Sequence, residues 1–210
     1  PGTLFVYSVS IDVLGRVLEV ASDSPLDRLL EELVLGPLDM NDTGFRVRPA
    51  DVNRLSQMYS PRVATYPIPG VYRRYEKYAS LPEGQKNFGQ SEETYLSGGA
   101  GLISSAHDYA KFLMFLSRGT TSAGETLLGA DMLAQMFANQ LPKALGGDGL
   151  VYNFGPMASG TGFGYGLGIR LKAGGNPEDQ SDHDYYWWAG AANTGFWIDP
   201  ESDSIGVLMI

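Results

Sequence analysis

Tyr185-Tyr186-Trp187-Trp188-Ala189-Gly190-Ala191-Ala192-Asn193-Thr194-Gly195-Phe196-Trp197-Ile198-Asp199-Pro200-Glu201-Ser202-Asp203-Ser204-Ile205-Gly206-Val207-Leu208-Met209-Ile210 contains three short runs, near 184–189, 194–199 and 205–210. Each is aromatic or β-branched, and Asp199-Pro200-Glu201-Ser202-Asp203 punctuates the last two with turn formers. Runs of this kind predict antiparallel strands joined by hairpins. A fourth lies near 163–171. Working back from there, the hydrophobic period becomes helical. Helices first and strands last predict an α+β fold, not the βα alternation of a parallel sheet.

Residues 9–22 read as a helix whose polar stripe is narrow: Asp12, Arg16, Glu19 and Asp23. Ile11, Val13, Leu14, Val17, Leu18 and Val20 fill the rest, which predicts a helix buried on most sides. Ser24, Pro25 and Asp27 predict the start of a second helix, as N-cap, first helical residue and capping-box acid. Its core face is Leu26, Leu29, Leu30, Leu33 and Val34, and Gly36-Pro37 ends it. A third helix is predicted from Ser105, with Asp108 three residues on, burying Tyr109, Phe112, Leu113 and Leu116 and ending near Gly119. A fourth spans about 130–139 and carries Met132, Leu133, Met136 and Phe137.

Between these helices, 46–104 keeps no long period and is rich in Pro, Gly and Tyr, with Arg62, Arg73, Arg74, Lys77 and Lys86. A stretch of this length without regular structure predicts a functional loop region. The expected organisation is one structural unit. Residues 1–160 form a mainly helical lobe around the long irregular 46–104 region, and 161–210 form the strands. The start at Pro1 without an initiator Met, and the stop inside an apolar run at Ile210, predict a piece truncated at both ends.

Composition excludes several functions. The 210 residues are 43% hydrophobic and 19% charged, a globular balance with ample material for a core. Fifteen Lys and Arg against 24 Asp and Glu leave a net charge of −9, which disfavours nucleic acid as a partner. No apolar run reaches the roughly 18 residues of a membrane span. The absence of cysteine removes disulfides, thiolate nucleophiles and Cys-ligated zinc. Compartment, whether bacterial cytoplasm or periplasm, is not legible. His107, in the first turn of the third helix, reads as a surface residue. His183 stands between Asp182 and Asp184 just before a strand and reads as structural rather than catalytic. Glu178, Asp179, Asp182 and Asp184 match no calcium-loop spacing and read as a solvated loop. Familiar nucleophile-elbow, phosphate-loop and zinc motifs are absent.

Three ordered stretches resemble one family. Phe5-Val6-Tyr7-Ser8-Val9-Ser10-Ile11-Asp12-Val13-Leu14-Gly15, followed by Gly36-Pro37-Leu38-Asp39-Met40-Asn41-Asp42-Thr43-Gly44-Phe45, is the first. Ser97-Gly98-Gly99-Ala100-Gly101-Leu102-Ile103-Ser104-Ser105-Ala106-His107-Asp108-Tyr109 is the second. Trp188-Ala189-Gly190-Ala191 with Phe196-Trp197-Ile198-Asp199-Pro200 is the third. In this order they resemble the serine β-lactamase-like superfamily of penicillin-binding proteins and transpeptidases, and most of all the family VIII carboxylesterases. The resemblance implies a helical lobe packed on an antiparallel sheet.

It also implies chemistry. These enzymes attack an ester or amide with the serine of a Ser-x-x-Lys motif, assisted by a tyrosine and an oxyanion hole. Tyr7 matches the tyrosine of the Tyr-x-Asn motif, where a neighbouring lysine ammonium favours the phenolate and lets it relay a proton. Read from the residues alone, Tyr7 equally well packs ahead of the helix. Position 9, where the motif has Asn, is Val9. Trp188 stands where the family's Lys-Thr-Gly box has its lysine, so an indole replaces the cation that holds a substrate carboxylate. That departure implies neutral, hydrophobic acyl esters. The match makes the Ala191 N–H an oxyanion donor and gives Gly190 the role of leaving room for substrate. Tyr185 to Trp188 also suit an ordinary core strand, and alternate residues allow both readings.

No Ser-x-x-Lys occurs between Pro1 and Ile210. The resemblance places it N-terminal to Tyr7, so the segment preceding Pro1 is an expected partner and the 210 residues alone are expected to be inactive. The expected substrate is a small-molecule ester, cleaved through an acyl-enzyme. Three alternatives stay open: a β-lactamase or D-Ala-D-Ala peptidase, an acyltransferase, and an inactive penicillin-binding-like protein that only binds a ligand. No metal or organic cofactor is implied.

Overall fold

The Ser105 hydroxyl accepts from the Asp108 backbone N–H at 3.2 Å and opens helix α3, Ala106–Arg118. Gly119 closes it in the left-handed region at φ 73°, as the capping residues predict. The computed structural model describes residues 5–56, 96–142, 161–171, 183–190, 192 and 194–209. Its other helices are α1 (Ser10–Ser22), α2 (Leu26–Leu30) and α4 (Ala130–Phe137). A wider turn, Glu31–Leu35, continues α2, and a short 3-10 helix spans Pro49–Arg54.

Five antiparallel strands follow: β1 (Thr161–Phe163), β2 (Gly168–Arg170), β3 (Tyr185–Ala189), β4 (Thr194–Asp199) and β5 (Ser204–Met209). Their order in the sheet is their order in the chain. The run at 163–171, read as one strand, is a hairpin instead. Gly164 donates to the Leu167 carbonyl at 2.9 Å and Gly166 takes φ 86°, so the glycines turn the chain between β1 and β2.

Helix α3 lies against β5. Leu113, Phe115 and Leu116 meet Leu35, Leu38 and Met40 on one side and Ile198 of β4 on the other, forming the core. Tyr109 stacks at 5.6 Å from Phe196, and Phe137 of α4 at 4.4 Å from Tyr186. The helices therefore cover the sheet face that carries Tyr186, Phe196 and Ile198. Trp197 pairs across the ladder with Gly206 and, with its alternate position, stays 46% exposed.

Two expectations are corrected. Helix α1 is not buried on most sides: Gly15 is its buried residue, while Val13, Val17 and Val20 are each more than half exposed. What packs on α1 is α2 and the turn at 97–99, and both approach the polar stripe rather than the apolar flank. The second helix starts at Leu26, with Pro25 as its N-cap and no side-chain cap from Ser24. Glu19, from the preceding helix, accepts the Leu26 N–H at 3.0 Å and takes the capping role.

Residues 57–95, most of the irregular 46–104 region, lie outside the described residues, as do Glu178, Asp179 and Asp182. Among the described residues no group of acidic or histidine side chains is arranged to hold a metal, and no helix is long and apolar enough to cross a membrane.

Candidate active site

Tyr7 lies three residues before α1, and Trp188 is the fourth residue of β3. Their ring centroids are 5.1 Å apart with planes tilted by 54°. Two of the sequence-predicted residues, from opposite ends of the chain, therefore meet. The phenol and the indole are both half-buried. A third ring completes the group. Phe163, at the end of β1, lies 5.0 Å from Trp188 and 6.2 Å from Tyr7, edge-on to both. Sequence reading missed it, because only the sheet pairing brings β1 beside the site. The signal was the glycine spacing at 162–168, which marks a hairpin instead of a single strand.

The ladder explains why the indole reaches Tyr7. Gly168 pairs with Trp187, and a Cβ there would approach the Trp188 ring and the Trp187 carbonyl at 3.2 Å each. Glycine lets β3 carry two successive tryptophans beside β2. Trp187 and Trp188 are themselves 5.7 Å apart.

Val9 holds the N-terminal end of α1 with its backbone alone. It caps the helix without a side-chain hydrogen bond, its carbonyl accepting from Val13 at 3.2 Å. Position 9 is 65% exposed and apolar, so the polar group that Asn brings in the motif has no replacement there. An open apolar groove runs from Val9 along α1 past Asp12, Val13, Arg16, Val17 and Val20. This groove follows the helix and does not lie between Tyr7 and Trp188.

Asp12 anchors the glycine turn to α1. Its carboxylate accepts from the Ser97 hydroxyl, and a Cβ on Gly98 would overlap the Ile11 carbonyl oxygen. Gly15 and Gly98 pack backbone to backbone, so the helix after Tyr7 and the turn before α3 form one unit. Further along, buried Asp108 accepts from the Asp42 N–H at 2.7 Å and the Thr43 hydroxyl at 3.0 Å, tying the 36–45 loop to α3. Arg54 bridges Asp42 at 2.6 Å and Asp51 at 3.0 Å. Hydrogen bonding to Arg54 holds both carboxyls below an aspartate's ordinary 3.8.

At the other end of β3, the His183 Nε2 lies 2.9 Å from Asp199 and Nδ1 lies 3.0 Å from Glu201. The Ser202 hydroxyl, donating at 2.7 Å, is the main cause that lowers the Asp199 carboxyl. His183 thus braces the β4–β5 turn, in keeping with a structural reading. His107 is exposed.

Gly190 donates to the Thr194 carbonyl at 2.8 Å, and a Cβ there would overlap the Thr194 hydroxyl oxygen. A side chain at this position would force the Thr194 hydroxyl to turn away. Ala191, the sequence-predicted oxyanion donor, lies outside the described residues.

Comparison with known proteins adds the lineage. The profile of the Beta-lactamase family matches residues 1–210. Protein Rv1367c of Mycobacterium tuberculosis is 30% identical over 218 residues, covering 100% of this chain and 49% of its own. Esterase EstB of Burkholderia gladioli is 35% identical over 137 residues, covering 62% of this chain and 33% of its own. EstCE1, a hydrolase with promiscuous acyltransferase activity, superposes with a TM-score of 0.73 at 25% identity, over 100% of this chain and 52% of its own. Simvastatin synthase LovD of Aspergillus terreus shares the fold, with a TM-score of 0.74 at 22% identity over 100% of this chain and 50% of its own. The chain spans about half the length of the relative it matches along its full extent. With the family profile matched along the whole sequence and esterases among its relatives, the chain belongs to the Beta-lactamase family, within the serine β-lactamase-like superfamily.

Proposed function

We propose that this chain is part of a serine carboxylesterase that cleaves neutral short or medium acyl esters through an acyl-enzyme. The observation that carries the reading is the 5.1 Å approach of Tyr7 and Trp188. In this reading the candidate proton relay stands against an apolar wall, where the resemblance gives penicillin-recognising relatives a cation.

In this mechanism a serine hydroxyl, from a Ser-x-x-Lys outside these residues, attacks the ester carbonyl. Tyr7 acts as the proton relay, taking the serine proton through its phenol oxygen and passing a proton to the departing alkoxide as the acyl–oxygen bond breaks. Water then attacks the acyl-serine by the reverse relay, releasing the carboxylic acid and restoring the hydroxyl. The Ala191 N–H with the serine N–H receives the developing oxyanion. Residues 1–210 contain no Ser-x-x-Lys, and by themselves are expected to turn over nothing. EstCE1 is described as a hydrolase with promiscuous acyltransferase activity, which favours transfer to an alcohol as the second reading, since the two outcomes differ only in what attacks the acyl-enzyme.

The intact protein decides the matter when offered a chromogenic short-chain ester and a chromogenic cephalosporin. The ester is expected to turn over with the higher kcat/KM. Faster cephalosporin hydrolysis overturns the argument from Trp188, and turnover of neither substrate favours an inactive binding protein.

A further inference from the structure

We propose that Phe163 is a specificity-determining residue, its ring joining the Trp188 indole in one apolar seat beside Tyr7 that takes a planar, uncharged group of the substrate. This rests on the esterase reading and deepens it by naming the substrate class. Phe163 stands 5.0 Å from Trp188 with planes at 73°, and 6.2 Å from Tyr7 at 65°. Both are edge-to-face arrangements. Phe5 backs Phe163 at 5.3 Å. All four rings are half-buried, so the cluster is partly open and not a sealed core.

The seat is also rigid. The Phe163 N–H donates to Asn139 Oδ1 at 3.1 Å, and its carbonyl accepts from Gln140 at 2.8 Å. Tyr165 donates to the Met136 carbonyl at 3.0 Å, so the end of α4 straps the β1–β2 turn in place. With its backbone held at both N–H and carbonyl, Phe163 offers a flat partner the offset and edge contacts that aromatic pairs favour, at centroid distances of about 4.5–7 Å. Neither ring brings a charge for a substrate carboxylate.

The test compares kcat/KM for p-nitrophenyl benzoate over p-nitrophenyl acetate, and for phenyl acetate over ethyl acetate, in the intact protein. Intrinsic reactivity cancels when each ratio is divided by its wild-type value. Phe163→Ala and Phe163→Leu are expected to lower at least one ratio about three- to tenfold, through KM, while Phe163→Tyr restores it. Ratios within about twofold of wild type in both ring-deleted variants, with near-UV circular dichroism showing them folded, overturn the proposal. Acetanilide binding, followed by tryptophan fluorescence, separates this claim from hydrolysis. If the protein cleaves no ester, the esterase reading falls. The seat still stands if Phe163→Leu weakens acetanilide about three- to tenfold and Phe163→Tyr does not. Equal binding by all, or none by wild type, sinks the seat.

Discussion

The Tyr7 phenol and the Trp188 indole lie ring against ring at 5.1 Å, although one precedes the first helix and the other sits on the third strand. Two separate strands, β1 and β3, deliver the rings around it, so the phenol's position depends on the pairing of the sheet and not on its own loop alone.

Tyr7→Phe separates the ring from its hydroxyl. The contacts with Trp188 and Phe163 survive, so near-UV circular dichroism and the urea midpoint are expected to change little. In the intact protein, kcat/KM for a short-chain ester is expected to fall about 10²–10⁴-fold. A loss below tenfold removes Tyr7 from the proton path.

Gly98→Ala drives a methyl into the Ile11 carbonyl, a backbone atom that cannot swing aside. The glycine turn and α1 must part, at an expected cost of about 1–3 kcal/mol in urea denaturation. Gly44→Ala is the control, since its nearest neighbour would stand 3.8 Å away, and it is expected to stay within about 0.5 kcal/mol of wild type.

Asp108→Ala leaves the Asp42 N–H and the Thr43 hydroxyl without their acceptor. Leaving such a donor unsatisfied costs about 1–3 kcal/mol. Hydrogen exchange is expected to rise first in the 36–45 loop, because α3 keeps its Ser105 cap. Uniform loosening of α3 instead argues that Asp108 serves the helix and not the loop.

Acid stability should follow the aspartates whose pKa values are depressed. Arg54 hydrogen bonds lower both Asp42 and Asp51. A carboxyl depressed in the folded state stabilises above its unfolded pKa and loses that contribution as pH falls through the folded value. Arg54→Gln is therefore expected to lower the urea midpoint at pH 7, with the deficit shrinking as pH falls through the folded-state values of the two carboxyls. A deficit that persists at low pH assigns the effect to packing of the arginine stem.

What could be read from sequence follows the range of each interaction. The α3 caps were legible because Ser105, Asp108 and Gly119 act within one turn of the helix they bound. The α2 start was misread by one residue because Glu19, seven positions back, supplied the acceptor expected of Ser24. The environment of α1 was misjudged for a different reason. With apolar residues on nearly every side, periodicity does not show which flank is covered, and it is the polar stripe that meets α2 and the glycine turn. Tyr7 and Trp188 were found through ordered resemblance, not through any local pattern. Phe163 joins them only through β1–β2 and β2–β3 register, which no window of the sequence contains.

The strand order of the sheet has a kinetic consequence. Each strand pairs with its sequence neighbour, so closure entropy is modest and the hairpins can zip one after another. The meeting of Tyr7 with Trp188 closes a far longer loop than any of these hairpins. The Tyr7–Trp188 contact is thus expected to form late, and a stopped-flow probe of tryptophan surroundings should lag the growth of β-structure.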